Sequence, residues 1–149
     1  MFPAMEKKRH GGSVWEHFDH EADIGVRGVG PTPARAFEQA ALALSAAVSS
    51  LASINPYEPV HIECQDDDLE VLLVDWLNAV IYEMATRAML FGRYEVVIEK
   101  GKLVATAWGE QVDVHRHQPA VEIKGATYTA LHVGQSPDDR WVAQTVVDV

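Results

Sequence analysis

The stretch His20-Glu21-Ala22-Asp23-Ile24-Gly25-Val26-Arg27-Gly28-Val29 changes character at its middle. Its first four residues are polar or small and include two acids, which suits a turn. From Ile24 onward, Ile24, Val26 and Gly28 alternate with Gly25, Arg27 and Val29, the period of a strand. Val14 to Phe18 reads as a short strand before the turn, and Gly30-Pro31 stops the second one. Thr32 then stands as an N-cap with Pro33 at the first helical position. Phe37, Ala40, Ala41, Leu44, Val48 and Leu51 follow at helical spacing, with Arg35, Glu38, Gln39, Ser45 and Ser49 on the opposite side.

Outward from there, the alternation of periods continues. Val60, Ile62 and Cys64 alternate with His61, Glu63 and Gln65, giving a third strand. Asp66-Asp67-Asp68 precedes an apolar run, where acids cap a helix and complement its N-terminal dipole. That helix carries Leu69, Leu72, Leu73, Trp76, Leu77, Val80, Ile81 and Met84 on a broad apolar face, with Asp75, Asn78 and Tyr82 opposite. Gly92 is expected to end it. Tyr94, Val96 and Ile98 then alternate with Glu95, Val97 and Glu99, and Lys100-Gly101-Lys102 makes a tight hairpin into Leu103, Ala105 and Ala107. A long strand is expected over Val121, Ile123, Thr127, Thr129, Leu131 and Val133, with Gly125 as a bulge. Gly134 to Arg140 is a polar turn before a last strand, Trp141 to Val147. The order predicts an α+β two-layer sandwich: a largely antiparallel sheet with two helices packed on one face.

At 149 residues, 48% hydrophobic and 23% charged, the chain suits one globular domain. Residues 14–149 are expected to form it, behind a flexible tail over 1–13. The formal charge of −10 argues against a free-standing nucleic-acid binder, which needs Lys and Arg to neutralise phosphates. It favours a cation or a basic partner instead. One cysteine, Cys64, permits no internal disulfide and fits a reducing compartment. No apolar run has the ~18 residues of a membrane span, so no membrane association and a cytoplasmic location are expected.

Phosphate loops, zinc-protease helices, nucleophile elbows and Cys-x-x-Cys pairs are absent. Cys64 lies in an apolar strand pattern and reads as packing. On a strand, His115 and His117 share one face, but no third nitrogen or sulfur ligand lies nearby, and Pro119 points to a loop. A polar surface or a partner contact is the better reading of that pair. The remaining acidic features lie at the two ends of the domain. If the Ile24–Val29 and Trp141–Val147 strands are neighbours, Asp23, Asp148 and the carboxylate of Val149 converge on one cation; if not, they are exposed acids near the chain ends. Oxygen-only ligands favour calcium, magnesium or manganese over zinc.

His20-Glu21-Ala22-Asp23-Ile24-Gly25-Val26 resembles the His-Thr-Ala-Asp-Ile-Gly signature of the archease family, with Glu21 where threonine is usual. Leu72-Leu73-Val74-Asp75-Trp76-Leu77-Asn78 is similar to its second-helix motif. Trp108-Gly109-Glu110, His117, Ile123-Lys124-Gly125-Ala126-Thr127-Tyr128 and the closing Asp148-Val149 resemble its later blocks, with Gly125 in place of the usual alanine. The resemblance runs from about Trp15 to Val149. It implies the two-layer α+β fold and a non-catalytic activator of the RtcB-type RNA ligase of tRNA splicing and RNA repair. Such a factor promotes ligase guanylylation and multiple turnover. It further implies a metal site at Asp23, Asp148 and Val149, a divalent cation with calcium first, and partner-activating roles for Lys124, His20, Glu110 and His117. RNA would be met indirectly, through the ligase. Two rivals stand beside this: chaperone-like modulation of a tRNA methyltransferase, and a metal-dependent phosphoester hydrolase using His20 beside Asp23 as its base.

Overall fold

The computed structural model describes residues 8–10 and 12–149. The strands are β1 (Lys8–His10), β2 (Ser13–His20), β3 (Asp23–Gly30), β4 (Glu58–Gln65), β5 (Met89–Glu99), β6 (Lys102–Gln111), β7 (Gly125–Ala126), β8 (His132–Gln135) and β9 (Trp141–Asp148). The helices are α1 (Pro33–Val48), α2 (Leu69–Arg87) and the single turn α3 (Val114–His117). Of the expected tail, 8–10 pair with β2 and Ser13 begins that strand, while 1–7 and 11 lie outside the described residues.

Both long helices begin as the sequence dictates. Thr32 caps α1 by accepting from the Arg35 N–H at 3.2 Å, with proline in the first turn. Asp68 caps α2 by accepting from the N–H groups of Glu70 and Val71. The Lys100-Gly101 hairpin has positive φ at both residues, 48° and 78°, the backbone of a tight turn that matches strand twist.

The α+β class with antiparallel sheets holds, and the strands divide into two sheets. One runs β1-β2-β3-β9-β7 with β8 also on β9; the other runs β4-β6-β5. Helix α1 packs against β2, β3 and β9 of the first sheet and β5 of the second. Its expected polar face is therefore buried: Glu38, Gln39 and Ser45 are interior. Ser45 is satisfied by the Tyr94 hydroxyl at 2.6 Å, and Glu38 accepts the Val96 N–H at 2.8 Å. Burial raises the Glu38 carboxyl above its ordinary range, against that hydrogen bond and the Arg35 guanidinium. The core between the layers centres on Phe37, Leu44, Leu72, Leu73, Trp76, Leu77 and Phe91, all fully buried. The Trp76 indole N–H donates to the Phe37 carbonyl at 3.0 Å, tying α2 to α1.

Three expectations need correction. Helix α2 ends at Arg87, not Gly92: Ala88 closes it in the left-handed region at φ 52°, and the buried run Met89-Leu90-Phe91 already belongs to β5. Gly92 sits inside β5 at a register shift, where a Cβ would lie 2.9 Å from the Ile54 carbonyl oxygen. The long strand expected over 121–133 is two short pieces, β7 and β8, because Ala130 turns into the left-handed region at φ 55°. His115 and His117 lie on α3, a helical turn, so they do not share a face as they would on a strand.

Candidate functional site

Register decides where the two acidic ends meet. Strands β2 and β3 close a two-residue turn with His20 opposite Asp23. Glu21 forms that turn at φ 53°, a conformation that costs a residue with a side chain about 1 kcal/mol. Strand β9 then pairs antiparallel with β3, Ile24 opposite Val147, so the next residues out, Asp23 and Asp148, project from the same end of the sheet. The Val149 N–H donates to Asp23 Oδ1 at 3.4 Å. On the far side of β9, Gly125 pairs with Asp148 and the Lys124 N–H donates to the Asp148 carbonyl at 2.8 Å. Asp23, Asp148, Val149 and Lys124 are thus brought together at one tip with His20, and the exposed Glu21 borders it.

The chemistry of this donor set fits a hard divalent cation. Among the described residues, no three His, Cys, Asp or Glu side chains gather into a metal cage, so two carboxylates depend on Val149 for a third oxygen donor. Nor, among the described residues, does a basic side chain lie within salt-bridge distance of Asp23 or Asp148. Clustered carboxylates with no cationic partner attract an oxygen-coordinated ion. Asp23 and Val149 are half-buried and Asp148 is exposed, so an ion held there would keep water in its shell.

Glu110 and His117 form a second, separate cluster. Glu110 Oε2 accepts from the Asn55 backbone N–H at 2.7 Å and lies 2.9 Å from His117 Nε2. Its Oε1 lies 2.8 Å from the Arg116 guanidinium and 3.3 Å from the Asn55 amide nitrogen. Burial would raise the Glu110 carboxyl, but these donors from Asn55, His117 and Arg116 outweigh it and hold it at about 2. His117 Nδ1 accepts the Asp113 N–H at 2.8 Å, which places the ring proton on Nε2, facing Glu110. The His117 side chain is fully buried, so its ring points into the molecule and not toward a partner. The cluster instead anchors an arm that leads to the tip. Ser49 donates to the His117 carbonyl at 2.7 Å, the Ala120 N–H donates to the Val48 carbonyl at 2.8 Å, and Ile123 packs on Val48, Ile54 and Leu90.

Three polar residues that matter here escaped the sequence reading. Arg116 and Asn55 complete the shell of Glu110 across long sequence separations that no local pattern records. Asn78, read as an exposed helix residue, accepts the Ala126 N–H at 2.8 Å and pins β7 beside β9. Its place in the Asp75-Trp76-Leu77-Asn78 motif was the available signal. Cys64 is half-buried, and desolvation, then the Asp75 charge, push its thiol up to about 11, which suits packing and not nucleophilic chemistry.

Comparison with known proteins places this architecture. The model of the archease protein family matches residues 15–149. The archease of Pyrococcus furiosus is 39% identical over 139 residues, spanning 91% of this chain and 98% of its own length. That of Methanopyrus kandleri is 37% identical over 139 residues, spanning 91% of this chain and 99% of its own length. The solution structure of Methanobacterium thermoautotrophicum protein 1598 superposes with a TM-score of 0.79 at 27% identity, covering 91% of this chain and 98% of its own. The crystal structure of an archease from Thermotoga maritima, described as a possible chaperone, shares the fold at a TM-score of 0.59 and 19% identity, covering 89% of this chain and 94% of its own. With nearly the whole domain matched and the signature acids at one tip, this chain belongs to the archease family.

Proposed function

We propose that this chain is a non-catalytic accessory factor of an RtcB-type RNA ligase in tRNA splicing and RNA repair. In this reading it promotes ligase guanylylation and return to multiple turnover through its acidic tip. The observation that carries the reading is the β3–β9 register, which seats Asp23, Asp148 and Val149 beside Lys124. The tip holds a divalent cation, calcium before magnesium or manganese, and presents it with Lys124 and His20 to the ligase. A net charge of −10 supports a protein that meets tRNA through a basic enzyme and not by itself. Glu110 and His117 serve from the interior, as the anchor of the arm that ends in Lys124.

A ligase turnover assay with and without the chain tests this. Wild type is expected to raise product beyond one equivalent per ligase, and Asp23→Ala, Asp148→Ala and Lys124→Ala to lose most of that gain. Equal stimulation by all three variants would remove the tip from the function. A second reading takes the possible-chaperone description of the Thermotoga relative and assigns a tRNA methyltransferase as client. Co-purification with such an enzyme and not with a ligase would favour it. Turnover of a phosphoester by the isolated chain with added divalent ions would favour the hydrolase reading instead.

A further inference from the structure

The three-stranded sheet has two edges, and the fold treats them differently. The β5 edge is closed by α1: Arg35 donates to the Val96 carbonyl at 3.0 Å and Glu38 accepts the Val96 N–H. Strand β4 forms the other edge, paired with β6 on one side and, among the described residues, with no strand on the other. It carries Pro59, a residue found at sheet edges because it has no N–H to give a ladder. Unpaired edge groups are a template for another strand.

Helix α2 runs beside this edge in the opposite direction. Ala79, Tyr82 and Glu83 border His61, Ile62 and Glu63, and Asp75 lies about one turn before Ala79 along the same helix. A groove of about 250 Å³ lies between α2 and β4, with the small side chain of Ala79 in its lining. Two acids line it: Glu63, paired with His61 at 2.6 Å and with Lys102 at 3.8 Å, and Glu83. Glu83 Oε1 accepts from Arg87, but Glu83 Oε2 is buried with no hydrogen-bond partner. Asp75, exposed, has no ion pair among the described residues, and burial together with the nearby Asp66 raises its carboxyl. Tyr82 stands 65% exposed at the rim.

We propose that the groove between β4 and α2 receives an extended basic segment of a partner protein, added as a fourth strand with two Lys or Arg side chains, four residues apart, against Asp75 and Glu83. The spacing follows from geometry: eight helical residues rise about 12 Å, and four strand residues span about 13 Å. Side chains i, i+2 and i+4 of the added strand face α2 together, so a small residue at i+2 lies over Ala79. A second copy of this chain is the poorer occupant, because pairing two β4 edges sets Glu58, Glu63 and Glu83 of two chains, each of net charge −10, against one another. The inference goes beyond the ligase reading and uses none of the tip residues, so either can fail alone.

The test uses a fluorescein-labelled peptide, Thr-Lys-Thr-Ala-Thr-Lys-Thr, with anisotropy and amide shift mapping on the full chain. Binding is expected to move amides of Val60 to Cys64 and of Asp75 to Glu83. Asp75→Asn and Glu83→Gln should each weaken it about three- to tenfold, and a peptide with its two lysines adjacent should bind several-fold more weakly. Each of three results overturns the proposal. The first is equal binding of the peptide with glutamate in place of lysine. The second is binding that disappears in Asp23→Ala but survives in Asp75→Asn and Glu83→Gln. The third is concentration-dependent dimerisation with β4 amides protected in the absence of peptide.

Discussion

Single side chains at this tip and its approaches are constrained in opposite senses. At Gly125 a Cβ would meet only the Asn78 amide oxygen, at an ordinary 3.5 Å. At Gly28 a Cβ would lie 2.0 Å from the Ala36 carbonyl oxygen, because α1 crosses directly over β3 there. Gly125→Ala is therefore expected to stabilise by about 0.4–1 kcal/mol through the unfolded chain, and Gly28→Ala to destabilise by about 1–3 kcal/mol; urea denaturation separates the signs. Glu110 adds a pH dependence. Its folded carboxyl is held at about 2, below the unfolded value near 4.3. A depressed acid contributes stability above its unfolded value and loses it as pH falls toward the folded one. Stability should thus decline from about pH 4.5 toward pH 2 through this group, and Glu110→Gln should flatten that part of the curve.

At the scale of elements, the tip is built by three strands and one arm. The β2–β3 turn supplies His20 and Asp23, β9 supplies Asp148, and the 118–124 arm supplies Lys124. The arm has no repetitive structure, so its position rests on the Glu110–His117 anchor and on Ile123 in the small cluster with Val48, Ile54 and Leu90. Removing the anchor by His117→Ala should free the arm before it unfolds the sheet. Hydrogen exchange is the measurement: protection of the Lys124 amide is expected to drop at least tenfold relative to amides of β3. An equal loss at both sites would mean the cluster acts only on global stability.

For the molecule as a whole, charge and topology act together. The proposed cation at the tip would stabilise the folded state, and the net charge of −10 favours it. Calcium a hundredfold above its Kd contributes about 2.7 kcal/mol, or about 5–10 °C in Tm for a domain of this size. Asp23→Ala and Asp148→Ala should abolish that rise, read by thermal denaturation with and without calcium. Among the described residues no helix is long and apolar enough to cross a membrane.

Periods, caps and turns were legible in the chain because each is decided by residues within one or two turns. The Thr32-Pro33 and Asp68 helix starts, the Lys100-Gly101 hairpin and the alternation of β3, β4, β5, β6 and β9 all follow from local chemistry. The acids of the tip were legible as residue types, but their meeting was not, since it depends on β3 pairing with β9 across more than a hundred residues. Two further features needed the third dimension. Glu38, Gln39 and Ser45 looked solvent-facing because helical spacing reports only one buried stripe, whereas two sheets bury α1 from both sides. His117 looked like a surface or partner contact because its partners, Glu110 on β6 and the Ser49 hydroxyl after α1, reach it only once the arm folds back over the core. Local sequence set the elements; long-range packing set which polar groups are buried, paired or left open for an ion.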